Sequence, residues 1–259
     1  MNPFPLQAPM CRILLTLAIG LMWAGSAGMA RAQAPDTSGA MYAGVFAGSA
    51  WTDNQIEDVE GFANWGLPGW SLDYHDSGLV AGMLAGRRLE LAGIPLRFEV
   101  DGMLGDLSAR SNRLDPEGLD ETVETEIRWI ATARVGAEHA IGPVLLFATA
   151  GMAVSRIDRS VTDIDSGRDI APHVDPDDSF SDQTTEVGWV AGAGLETRWM
   201  KAWEVRLEGL YMDFGKSTHV VNHSGNNRCG PGGPQRPCPY RIDNALGVVR
   251  LGITYRFGH

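Results

Sequence analysis

Six histidines, a run of aspartates between 158 and 182, and two cysteines nine positions apart are the side chains best suited to chemistry here. A serine, a histidine and a carboxylate could make an acyl-transfer nucleophile, if base and hydroxyl lie within hydrogen-bond reach. His75, His139, His173, His219, His223 and His259 all fall in stretches that read as loops, turns or the tail. None lies mid-strand on an outward face, and the Ser-x-Gly patches form no nucleophile elbow. A protein that is not an enzyme is therefore expected.

The aspartate run holds Asp158, Asp163, Asp165, Asp169, Asp175, Asp177, Asp178 and Asp182 against only Arg159 and Arg168. Asp163-Ile-Asp165-Ser-Gly167 has the start of a calcium loop but lacks the later bidentate glutamate. A solvated acidic loop over 157–184 is expected, with visiting divalent ions as the alternative, and no metal site and no cofactor are assigned. Cys229 and Cys238 bracket a segment full of glycine and proline, in a chain that reads as exported. An oxidising compartment favours a disulfide between them. The alternative, a metal held with His219 or His223, lacks the four regular ligands of a zinc site.

Export is read from the start of the chain. Arg12 precedes the apolar run 13–23 and a small-residue stretch ending in Ala30-Arg31-Ala32, the plan of a cleaved signal peptide. The run is shorter than the ~20 apolar residues of a spanning helix. The expected division is a signal peptide over 1–32 and one β-barrel domain over 33–259. Residues 1–32 carry two arginines and no acid, so their removal takes the formal charge from −11 to −13. That balance argues against a nucleic-acid partner.

The elements that must position these residues are strands. In Arg250-Leu-Gly-Ile-Thr-Tyr-Arg-Phe257 apolar and polar residues alternate strictly, a period of two. The same habit recurs over 41–51, 77–90, 95–107, 123–138, 144–156, 185–198 and 203–214, giving eight strands. Each is long enough for the ~9–11 residues a tilted strand needs to cross a bilayer. Connections 91–94, 139–143 and 199–202 are tight, whereas 52–76, 108–122, 157–184 and 215–243 are long and polar. An even strand number puts both termini on the short-turn side. Trp51, Trp129, Trp189 and Tyr211 next to the long connections are expected to form one aromatic belt. Tyr42, Phe98, Phe147, Trp199, Trp203, Tyr255 and Phe257 are expected to form the other. A soluble barrel puts its apolar side chains inside, and here the charged face could form its outer surface only by leaving many glycines and alanines as the core.

Val187 to Glu196, Trp203 to Gly215 and the terminal Arg250 to Phe257 together resemble the small porin-like outer-membrane barrels. These are the immunogenic outer-membrane proteins, related to the transmembrane domain of outer-membrane protein A. The resemblance implies an all-β, eight-stranded antiparallel transmembrane β-barrel in the outer membrane of a Gram-negative bacterium. It implies short periplasmic turns and long extracellular loops. It also implies a final strand read by the barrel-assembly machinery through Arg250, Gly252, Tyr255 and Phe257, although Gly258 and His259 extend past the usual terminal aromatic. Expected partners are outer-membrane lipid, lipopolysaccharide and a surface partner meeting the long loops.

Arg97, Glu99, Asp101, Arg128, Arg134, Glu196, Arg206, Glu208, Arg250 and Arg256 are expected to face the lumen. Eight strands leave an interior that side chains fill, so a salt-bridged plug is expected ahead of an ion pathway. The resulting expectation is a non-catalytic structural or surface-interaction protein. A narrow pore for ions or small solutes is the alternative, and a lipid A-modifying enzyme stands behind both.

Overall fold

The computed structural model describes residues 39–59, 68–113, 119–167, 170–221 and 238–257. Eight strands follow in order: β1 Met41–Asp58, β2 Trp70–Leu91, β3 Ile94–Arg113, β4 Leu119–Ile141, β5 Val144–Gly167, β6 Ile170–Arg198, β7 Trp203–Val221 and β8 Cys238–Phe257. Each pairs antiparallel with the next, and β8 returns to β1 from Met41↔Phe257 to Asp58↔Tyr240, closing the barrel. Closure gives every strand two partners, so no edge is left to solvent or lipid.

Alternation decides which side meets what. On β8, Leu251 and Phe257 point out and are exposed, while Arg250 and Arg256 point in and are buried. Met41, Val45 and Trp51 trace the same outward row along β1. Ten steps from Met41 to Trp51 span roughly 34 Å of strand, or about 24 Å at a ~45° tilt, which matches an apolar band about 25 Å tall.

The tight turns lie at one end. Ala92 and Gly93 have φ of 52° and 78°, the left-handed pair that closes a two-residue hairpin without splaying its strands. At the other end the strands run well past the apolar band. The stretches 52–76, 108–122 and 157–184, expected as loops, are largely strand, and 215–243 is strand at its two ends, over 215–221 and 238–243. Beyond the band the outward row of β1 becomes Asp53, Gln55 and Glu57, while Ile56 turns inward. The period of two persists but its polarity inverts. Outside the lipid the barrel follows the soluble rule, with a polar wall around an interior of Ile56, Tyr74, Val123, Val161, Tyr240 and Ile242.

Three expected placements change. Arg128 is not in the lumen: its side chain is 54% exposed and bonds Asp158 and Glu126 on the outer wall. The ladder explains this, because Ile127 pairs Ile157 and Trp129 pairs Arg156, which leaves Arg128 as a bulged residue. Odd residues of β4 point inward above the bulge and even ones below it, as Ile127 and Ile130 show. Tyr42 and Phe147 leave the expected aromatic belt and lie buried inside. The exposed rings are Trp51 and Trp189 towards one rim, and Phe98, Trp199, Trp203 and Phe257 towards the other.

Candidate functional site

Two clusters of polar side chains occupy the interior. The first fills the half near the tight turns with six arginines (88, 97, 134, 206, 250 and 256) and six carboxylates (99, 101, 138, 196, 204 and 208), all buried. Arg134 reaches Asp101 and Glu208 at 2.6 Å each and also bonds Glu99. Arg206 meets Glu99 at 2.9 Å and Glu208 at 3.0 Å, and Arg250 meets Glu208 at 2.7 Å and Asp101 at 2.9 Å. Nearer the turns, Arg88 is shared by Glu138, Glu196 and Glu204, and Arg97 bonds Glu138 at 2.6 Å.

Charges are costly to bury singly but tolerable when each is paired and hydrogen-bonded. The equal numbers make the cluster neutral, and aromatic rings seat it. Arg97 lies 4.0 Å over the Phe147 ring, Arg250 lies 4.0 Å over Phe46, and the Tyr42 hydroxyl donates to Glu99 at 2.8 Å. Of the ten lumen charges expected, nine are here. Arg88, Glu138 and Glu204 join them, since each occupies an inward position of its strand.

A second layer roofs this plug. Leu107, Ile127, Ile130, Ile157, Val190, Leu210, Met212, Leu246 and Val248 form a buried apolar stack beyond it. Above that stack lies a thin polar layer holding Asn54, Asn244 and Arg159, then the apolar interior of the extension.

The second polar cluster lies in the extension, on stretches expected to be loop. Gly215 has φ +72° and forms a bulge: Asp213 pairs Ala245, yet Lys216 pairs Asp243. A left-handed residue at this point suits glycine, which has no Cβ to clash. The bulge switches the parity of β7, because Met212 and Phe214 face inward below it and His219 above it. Ser217 Oγ then lies 3.0 Å from His219 Nε2, and His219 Nδ1 lies 3.0 Å from Asp182 Oδ2 on β6. The imidazole is 6% exposed and stacks on Phe180, which in turn stacks on Tyr240. Burial, and then the guanidinium of Arg159, hold the His219 pKa below its ordinary value, with Asp182 and Glu186 opposing. His75, His139 and His173 also lie on strands rather than in loops.

Arg250, Gly252, Tyr255 and Phe257 keep the expected alternation at the end of β8. Cys229 lies outside the described residues, as does the side chain of Cys238, although Cys238 opens β8. The acidic stretch Asp163 to Gly167 lies within β5, not in a free loop.

The sequence profile described as outer membrane protein beta-barrel domain matches residues 20–257. The 31 kDa outer-membrane immunogenic proteins of Brucella melitensis and Brucella suis are each 29% identical over 200 residues, covering 72% of this chain and 70% of theirs. Among solved structures, the outer membrane protein OprG of Pseudomonas aeruginosa aligns with 12% identity and a TM-score of 0.49, covering 86% of this chain and 98% of that one. The attachment invasion locus protein Ail of Yersinia pestis aligns with 14% identity and a TM-score of 0.34, covering 85% and 99%.

Proposed function

This chain belongs to the outer-membrane β-barrel protein family and resides in the bacterial outer membrane, and from that premise we propose a sealed, non-conducting barrel. Its role is to display the extension for envelope integrity or surface interaction. The observation that carries this reading is the layering of the lumen. A neutral set of paired charges lies beneath an apolar stack, and an ion crossing that stack would be stripped of water without a partner. The proposed partners are lipopolysaccharide and outer-membrane lipid around the apolar band, and a surface partner at the long-connection end. Residues on connections held by a rigid scaffold are the usual place for such binding.

Two steps of biogenesis belong to the same proposal. Residues 1–32 act as a removable signal peptide. Arg250, Gly252, Tyr255 and Phe257 then present the last strand to the barrel-assembly machinery.

Single-channel recording on the purified full chain in planar bilayers tests the central claim. Silence is expected. Steady openings whose size changes in Arg206→Ala or Glu208→Ala would overturn it in favour of a narrow pore. The membrane-spanning wall has no catalytic set among the described residues, so unchanged lipid A mass is expected in cells expressing the protein.

A further inference from the structure

We propose that Ser217, His219 and Asp182 form a hydrolytic triad inside the extension, acting on small carboxylic esters. This goes beyond the display role and departs from the expectation that no catalytic set is assembled. The geometry has the required order, with serine on Nε2 and aspartate on Nδ1, each at 3.0 Å. Attack needs a base on the hydroxyl and a third group fixing the tautomer of that base. The other oxygen near the Ser217 hydroxyl, the Ile242 carbonyl, is at 3.5 Å, so the imidazole is the nearer acceptor.

Three features of the fold build this arrangement. The Gly215 bulge turns Ser217 and His219 to the same inward face, two residues apart on one strand. The Phe180 and Tyr240 rings wall the imidazole, and Ser217 stays partly open. Arg159 stands directly across the β5–β6 ladder from Asp182, and its buried Nε makes no hydrogen bond among the described residues. That cation, itself held by Glu186 at 2.7 Å, favours a neutral imidazole, the form a general base needs.

The reaction balances without a cofactor. Ser217 Oγ bonds to the ester carbonyl carbon while its proton passes to His219 Nε2. The bond from carbon to the alcohol oxygen breaks, and the alcohol leaves with that proton. Water attacks the acyl carbon next, giving its proton to His219, which returns it to Ser217 as the carboxylic acid departs. The substrate must be small, because the Ser217 hydroxyl lies on the inward face of the barrel wall and is only partly open. Because these side chains face the interior, the acyl chains of the surrounding lipid are not the substrate.

The test uses the full chain refolded in detergent, with folding checked by its altered gel mobility before heating. An alkyl fluorophosphonate should label Ser217, located by peptide mass, and p-nitrophenyl butyrate should be hydrolysed. Ser217→Ala should remove both. Asp182→Asn should lower kcat by about 10²–10⁴ with little change in KM, as expected of a residue that only holds the base. The rate should rise with pH through one ionisation below the ordinary histidine range. A folded wild type that takes no label on Ser217 overturns the proposal, as does one that hydrolyses ester no faster than Ser217→Ala.

Discussion

Tyr42 stands directly across the β1–β2 ladder from Gly86, and its ring occupies the space where a side chain on Gly86 would begin. A Cβ placed there would lie 2.3 Å from the ring carbon Cζ. Phe147 and Gly194 repeat the arrangement across β5 and β6, where a Cβ would lie 2.4 Å from the Phe147 ring. The aromatics that seat the charge plug are therefore housed by glycines opposite them. Gly86→Val should force Tyr42 off its bond to Glu99 and destabilise the barrel by about 1–3 kcal/mol. Chemical unfolding in detergent, followed by tryptophan fluorescence, measures this. An unchanged midpoint would show that the ring moves aside freely.

The plug makes a sharper contrast. Arg134 is shared by Glu99, Asp101 and Glu208, whereas Arg256 reaches Glu204 at 3.6 Å near the rim. Removing one partner of a buried network leaves the opposite charges uncompensated, at a cost of about 3–5 kcal/mol. Arg134→Ala should therefore cost several times more stability than Arg256→Ala in the same unfolding assay. Equal losses would mean that the central ion pairs do not hold the lumen together.

How much of this was legible follows from where the period of two survives. Arg250 to Phe257 keeps one parity to its end, so alternation alone placed Arg250 and Arg256 inside and Leu251 and Phe257 outside. Arg128 broke that logic because a single bulged residue reverses parity without any mark in composition. Tyr42 lies in a strand with both faces apolar or small, where alternation carries no direction; only its glycine partner reveals the inward turn. His219 was hidden twice. The inverted polarity beyond the lipid made its strand resemble a loop, and Gly215, which turns it inward, reads in sequence as a turn residue.

The cysteine pair is tested separately. A bond between Cys229 and Cys238 would close a loop of ten residues, stabilising by only about 2–3 kcal/mol in the chain-entropy account. Cys238 opens β8, so the effect should stay near the long-connection end. Non-reducing peptide mapping of exported protein should find the two cysteines linked. Both thiols free and alkylatable would dismiss the bond.

His219 gives the protein a pH dependence whose sign can be worked out. Its folded pKa is held below the ordinary value of about 6.5 by burial and by Arg159 on β5, while Asp182 and Glu186 on β6 pull the other way. Tyr240 on β8 lies behind Phe180 in the same stack. The unfolded chain therefore takes up a proton at a higher pH than the folded barrel does. Stability from this group is fully present above about 6.5 and is lost as pH falls towards the depressed folded value. Because acidic groups elsewhere also titrate, the comparison must be with His219→Gln, which lacks this contribution. Wild type should lose more unfolding free energy than His219→Gln between about pH 7 and pH 5. A wild-type slope no steeper than that of the variant would show that His219 charges freely in the folded barrel. Such a histidine would sit protonated in mildly acid medium, unable to accept the Ser217 proton.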